Sequence, residues 1–328
     1  MRKGENVVNT IKKAGKALMT DYKVIVIIFI MGVVLTATSD AFLTSRNLFN
    51  VLRQVSVNGI VASCFVILFA CGGIDLSIGS NVALVGVVTA MLLKQNLPIL
   101  LVCLIAIAIG AVLGTVNAFF ITRFDLLPFV VTLSTQMIYR GIVYLLTDMS
   151  PITGLPEGFL PIGQGYIGPV PLPIFIMVGM GIIMWFVVNR TKFGRYALAI
   201  GGNSSAARVS GVNVKAYLSG CYILTGAVGA LASLVLTART ASAQVTAGTN
   251  MEMDIIAGCV IGGTPMTGGV CNVIGSLFGC LLVGLVSNGM NLLGVNANWQ
   301  TAMKGVLILA AVLIDVVSTK IYSMKKSN

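Results

Sequence analysis

The chain has 328 residues, of which 57% are hydrophobic and only 9% charged, whereas a soluble domain carries about a quarter charged residues. Its formal charge of +11 falls in short basic clusters beside apolar runs rather than on a polar face interleaved with aromatics, which argues for membrane topology and against a nucleic-acid partner. There is no histidine, and the seven cysteines form no CxxC pair, so neither a metal site nor a dithiol redox centre is supported.

Residues 1–23 form a basic tail with Arg2, Lys3, Lys12, Lys13, Lys16 and Lys23, and residues 319–328 a second one with Lys320, Lys325 and Lys326. Both ends are therefore expected in the cytoplasm, with one membrane domain over 24–318 and an even number of crossings. The first apolar segment has no cleavage pattern after it and reads as a retained helix. Apolar stretches of spanning character follow at Val24–Thr38, Val55–Cys71, Leu97–Thr122, Leu127–Leu146, Pro171–Val188, Ala216–Leu236, Val273–Val286 and Ala302–Val317. Leu76–Leu93 is slightly short, and Met251–Ile261 is very short and stops at Gly262 and Gly263. Counting both gives about ten crossings, the short ones read as broken or partly re-entrant helices. The fold class is an all-α polytopic membrane protein.

With the amino terminus inside, the Pro- and Gly-rich stretch Met149–Pro173 lies on the outer face and Phe193–Val214 on the cytoplasmic face. The latter predicts a short helix over Ser204–Ser210, with Asn203 as its N-cap and Gly211 as its left-handed stop. Two readings apply, a plain connector among lipid headgroups or a device on which a soluble partner pushes. GxxxG spacings at Gly110/Gly114, Gly258/Gly262 and Gly275/Gly279 fit close helix packing, although 37 glycines produce such spacings by chance. The Gly72–Gly73 and Gly262–Gly263 regions share a loose likeness, each running on to an Ile-Gly-Ser.

In GGIDLSIGS, Gly72–Ser80, Asp75 and Ser77 either cap the next span or belong to a break that lines a passage. Glu252 and Asp254 pose the same choice at the next short segment. Asn58, Asn81, Asn117, Gln136, Asn288 and Asn291 need partners inside apolar spans, through interhelical bonds or, for one or two, along a translocation path. Asn288 and Asn291, three residues apart, share a helix face. Arg140 is the deepest cation, read as snorkelling, paired to an acid, or contacting substrate. No cluster of acids suited to protons or sodium occurs within a span, and no P-loop sequence is present, so any ATP-driven engine is a separate subunit.

GGIDLSIG (72–79), AIGGNSSAARVSGVNV (199–214), SAQVTAGTNMEMDIIAGCVIGG (242–263) and SNGMNLLGV (287–295) together closely resemble the ribose-type permeases of bacterial ABC sugar importers. The likeness covers nearly the whole chain after the basic tail, with Pro265 departing from an expected Ser and Cys271 from a common Gly. It implies a dimerising bacterial plasma-membrane (inner-membrane) subunit of about ten helices. Such a subunit takes a monosaccharide, a pentose such as ribose being slightly favoured over a hexose, from an extracytoplasmic sugar-binding protein. A cytoplasmic ABC ATPase drives it, a second permease subunit completes it, and it performs no catalysis and carries no cofactor. By that resemblance Gly201, Gly202, Asn203, Ala206, Ala207, Arg208 and Gly211 contact the ATPase through a cytoplasmic coupling helix. Asp75, Ser77, Asn288 and Asn291 are the candidate path or gate residues. The alternative is a cation-coupled secondary transporter, and a membrane-embedded enzyme ranks third.

Overall fold

The computed structural model describes residues 23–296, 298–306, 309, 310 and 313; residues 1–22, the 319–328 tail and half of the expected Ala302–Val317 span lie outside the described residues. The helices are α1 Lys23–Thr38, α2 Ser45–Ala70, α3 Ile78–Lys94, α4 Ile99–Arg123, α5 Pro128–Thr147, the single turn α6 Pro161–Gln164, α7 Leu172–Arg190, α8 Lys192–Gly202, α9 Ser204–Val209, α10 Val214–Thr240, α11 Met251–Ile261 and α12 Val273–Leu292. Residues 298–306 are helical as well. Two antiparallel ribbons complete the chain: β1 Ile152–Thr153 with β4 Ser242–Ala243, and β2 Tyr166–Ile167 with β3 Val170–Pro171.

Six of these helices are long and apolar enough to cross a membrane (α2, α4, α5, α7, α10 and α12), and α1 and α3 are shorter apolar helices. The molecule is an all-α polytopic membrane protein apart from the two ribbons. Local sequence sets the helix ends. The side chains of Thr44, Thr191, Asn203, Asn213 and Asn272 each accept from a backbone amide in the first turn of the following helix. Pro128 and Pro173 sit in first turns, where a missing N–H costs nothing.

α2 and α10 form the centre. In their most apolar stretches 78% and 72% of residues are buried, against 22% in α4 and 28% in α5 and α7, which face outward. Side-chain and close-packing contacts fix the directions. Cys221 reaches the Ile67 carbonyl and Cys64 the Thr225 hydroxyl, while the Arg239 guanidinium reaches the Arg53 carbonyl, so α2 and α10 run antiparallel. Tyr222 bonds to Ile74, Ile78 packs on Gly229, Ser233 donates to the Val82 carbonyl, and Gly86 faces Thr237, so α3 runs parallel to α10.

Where hydrocarbon replaces water, helix association depends on close van der Waals packing, and the glycines supply it. Gly110 and Gly114 on α4 lie against the backbone of Gly226 and Tyr222 on α10, where any Cβ would overlap a carbonyl. Gly258 on α11 and Gly262 just after it pack closely on Gly279 and Gly275 of α12, where a Cβ at Gly262, Gly275 or Gly279 would overlap a carbonyl and one at Gly258 the Cys280 sulfur. All three GxxxG spacings are therefore packing surfaces.

Candidate transport site

α2 ends in a helix stop at the glycine pair. Gly72 is left-handed at φ +85°, its amide donates to Phe69 and the Gly73 amide to Leu68. α11 ends by the same scheme, with Gly263 at φ +88° and amides of Gly263 and Thr264 donating to Val260 and Cys259. The two stops match in bonding with a shift: the first glycine of one pair and the second of the other take the left-handed position.

From that stop the chain turns through 73–77 into α3, and the turn is buried. The Asp75 carboxylate accepts from the Ser77 amide at 2.8 Å and the Ser77 hydroxyl at 2.6 Å. It holds the turn two residues ahead of itself rather than acting as the N-cap, which is Ser77, without a side-chain capping bond. Asn117 of α4 donates to Ser77 at 2.8 Å and accepts from Thr135 of α5 at 2.7 Å. Tyr222 of α10 closes the other side, its hydroxyl donating to the Ile74 carbonyl at 2.9 Å and accepting from the Ile74 amide at 3.2 Å. Asp75, Ser77, Asn117 and Thr135 thus tie three helices together, while the second carboxylate oxygen of Asp75 has no hydrogen-bond partner among the described residues. Thr135 and Tyr222 were not legible as site residues; the signal available was that a hydroxyl inside an apolar span needs a partner.

One turn further on, Gly79 of α3 lies against the backbone of Gly248, beside the Glu252 carboxylate. Glu252 accepts from Gln136 of α5 at 3.0 Å, and Arg140, a turn later on α5, donates to the Val245 carbonyl at 2.8 Å. Arg140 therefore clamps the 241–250 segment. Asp254 pairs with Lys304 at 2.9 Å. α11 spans only about 16 Å with its 11 residues, about half of a hydrocarbon layer of about 30 Å.

The 193–213 segment lies at the far end of α10 from Thr240, about 40 Å away along a 27-residue helix. Phe193 and Tyr196 of α8 hold it through ring contacts at 5.7 and 5.0 Å with Tyr217. Asn203 accepts from the Ala206 amide at 2.9 Å, and Gly211 is left-handed at φ +85°, so α9 has the cap and stop that its sequence predicts. Gly202, Asn203, Ala206, Arg208 and Gly211 are exposed, whereas Ala207 is buried. Val209 is 90% exposed, an apolar tip on α9 that composition alone did not single out.

Gly201 brings this segment into backbone contact with α2. It lies on the carbonyl of Ala70, the last residue of α2, and on the amide of Gly269, which itself bonds to Ala70 at 2.9 Å. Gly268 and Gly269 are left-handed and pack on the Gly201–Gly202 backbone. Pro265 only contributes a carbonyl here, accepting from Gly268, so its missing donor breaks no bond of the turn. The end of α2, the turn at Gly268–Gly269 after α11 and the α8–α9 segment thus meet at one point.

Asn288 and Asn291 stand apart from Asp75 and Ser77. Asn288 exchanges two side-chain bonds with Asn47 at the start of α2, at 2.8 and 3.1 Å, and Asn291 accepts from Gln300 at 2.8 Å. Among the remaining amides, Asn81 is buried, and its side-chain oxygen has no hydrogen-bond partner among the described residues.

Residues 47–312 match the family described as branched-chain amino acid transport system / permease component. The chain belongs to this permease family. Among its relatives, the ribose import permease protein of Bacillus subtilis is 41% identical over 88% of this chain and 90% of the relative. The ribose import permease protein of Escherichia coli K12 is 38% identical over 92% and 95%, and that organism's galactose/methyl galactoside import permease protein is 35% identical over 96% and 98%. No solved structure matches the chain.

Proposed function

We propose that this permease is the membrane subunit of an ATP-driven ABC importer for a monosaccharide, ribose or a related sugar, in the bacterial inner membrane. The observation that carries this reading is that sugar-import permeases are similar to it along nearly their full length and its own. The family description speaks of branched-chain amino acids, but the relatives with this end-to-end likeness transport sugars by name.

The finer reading is part of the same proposal. The 24–318 unit makes about ten crossings between cytoplasmic tails, with α3 and α11 as the short ones. A sugar-binding protein docks outside, two permease subunits pair, and the ATPase grips α9 through Asn203, Ala206, Arg208 and the Val209 tip. Movement of α9 passes through Gly201 to the ends of α2 and α11. There it biases the Asp75–Ser77 break between two arrangements, because ATP binding to the partner stabilises one of them more than the other. Asn288 and Asn291 serve the Asn47 and Gln300 contacts in the arrangement described above, and a path role for them requires those contacts to open.

Reconstitution tests the proposal. Proteoliposomes holding the permease and its ATPase, with ATP inside and loaded binding protein outside, are expected to accumulate a monosaccharide, and a sodium or proton gradient is not expected to replace ATP. Accumulation driven by a gradient through this chain alone would establish the secondary-transporter alternative.

A further inference from the structure

A cavity of about 220 Å³ opens between α3, the last turns of α10 and the 241–250 segment. It lies at the end of α10 remote from the α8–α9 segment, and its floor is Gly248, which rests on the Gly79 backbone next to the Asp75–Ser77 turn. Its polar lining consists of Thr237, Thr240, Ser242, Gln244 and Thr246, and no charged residue lines it.

These groups are only partly satisfied by one another. Thr240 donates to the Leu236 and Ser242 carbonyls, Ser242 to the Thr240 carbonyl, and the Gln244 amide nitrogen to the Ser242 hydroxyl. Among the described residues the hydroxyls of Thr237 and Thr246 and the amide oxygen of Gln244 make no hydrogen bond. Two donor–acceptor hydroxyls and an acceptor therefore face a space equal to the liquid volume of about seven waters. Gly86 keeps the space open, since a Cβ there would meet the Thr237 hydroxyl at 2.7 Å.

We infer that this cavity is a monosaccharide subsite on the outer side of the translocation path; the inference rests on the sugar-importer reading and gives it a location. Sugar hydroxyls both donate and accept, which matches uncharged hydroxyl and amide groups. An amino-acid zwitterion matches poorly, because it would lose water from two charges without an ionic partner in the lining. Arg140 and Glu252 are not part of the lining: Arg140 is engaged by the Val245 carbonyl, and Glu252 accepts from Gln136 through Oε1 while its buried Oε2 has no hydrogen-bond partner among the described residues. The open geometry suits a transit site, where weak binding permits release.

The test measures sugar moved per ATP hydrolysed in the reconstituted complex, using radiolabelled D-ribose and D-galactose, with L-leucine as the charged competitor. Thr237→Val/Thr246→Val, which keeps shape and removes both hydroxyls, is expected to lower that ratio at least fivefold, and Gln244→Ala at least twofold. Thr237→Ser/Thr246→Ser restores the hydroxyls and is expected to restore the ratio, an outcome that a merely structural role for the threonines does not give. Gln244 is exposed, so its variant keeps the question answerable if the double valine variant fails to assemble. Wild-type ratios in the valine and alanine variants would overturn the subsite while leaving the importer reading standing. Transport of leucine and of neither sugar by the wild-type complex would overturn the reading beneath it.

Discussion

The amide of Gly269 donates to the carbonyl of Ala70 at 2.9 Å, joining the turn after α11 to the end of α2, and Gly201 fills the corner between them. A side chain at Gly201 would overlap the Ala70 carbonyl oxygen and stand 2.6 Å from the Gly269 amide nitrogen. Both obstacles are backbone, which cannot rotate aside.

Gly201→Ala is therefore expected to lower stability by about 1–3 kcal/mol through overpacking, with loss of uptake. Gly211→Ala contrasts with it. No described residue lies within 4 Å of a Cβ at Gly211, so its cost is confined to the left-handed backbone at φ +85°, about 1 kcal/mol. Thermal unfolding of both variants in detergent checks the order; equal shifts would mean that the corner relaxes.

On α9, Val209→Asp and Ala206→Asp alter exposed positions, whereas Ala207→Asp drives a carboxylate into the packed side of the helix. The first two are expected to insert and unfold like wild type but to copurify several-fold less ATPase. Ala207→Asp is expected to destabilise the chain itself. Thermal stability measured alongside copurification separates the cases, and unchanged ATPase binding in Val209→Asp would make α9 a connector only.

Asn47 and Asn288 satisfy each other, so removing one strands the other. Asn288→Ala is expected to cost about 1–2 kcal/mol and Asn47→Ala/Asn288→Ala little more, the coupling being read from a double-mutant cycle. Additive losses would show that the pair contributes nothing as a pair.

Much of the secondary structure was legible because a lipid environment demands long apolar runs. Met251–Ile261 was marked in the sequence with the bounds that α11 has, and the Asn203 cap and Gly211 stop are local chemistry read from neighbouring residues. α2 was expected from Val55 but starts at Ser45, because Arg46, Asn47, Arg53 and Gln54 dilute its apolar signal while the Thr44 cap starts the helix. The same limit applied to partners. The sequence marked Asn117, Gln136 and Asn288 as amides in need of bonds, but it could not say that they meet Ser77 and Thr135, Glu252, and Asn47.

Composition and periodicity determined that this chain lives in a membrane, where it breaks its helices and which short helix it caps, since each of these depends on residues within a few positions of one another. Tertiary structure alone decided that the end of α2, the Gly268–Gly269 turn and Gly201 share one corner, that Asp75 is tied to α4 and α5, and that five uncharged polar residues line one cavity. Those contacts join residues far apart in the chain, and their existence depends on helix direction and register, which close backbone packing fixes and no local pattern records.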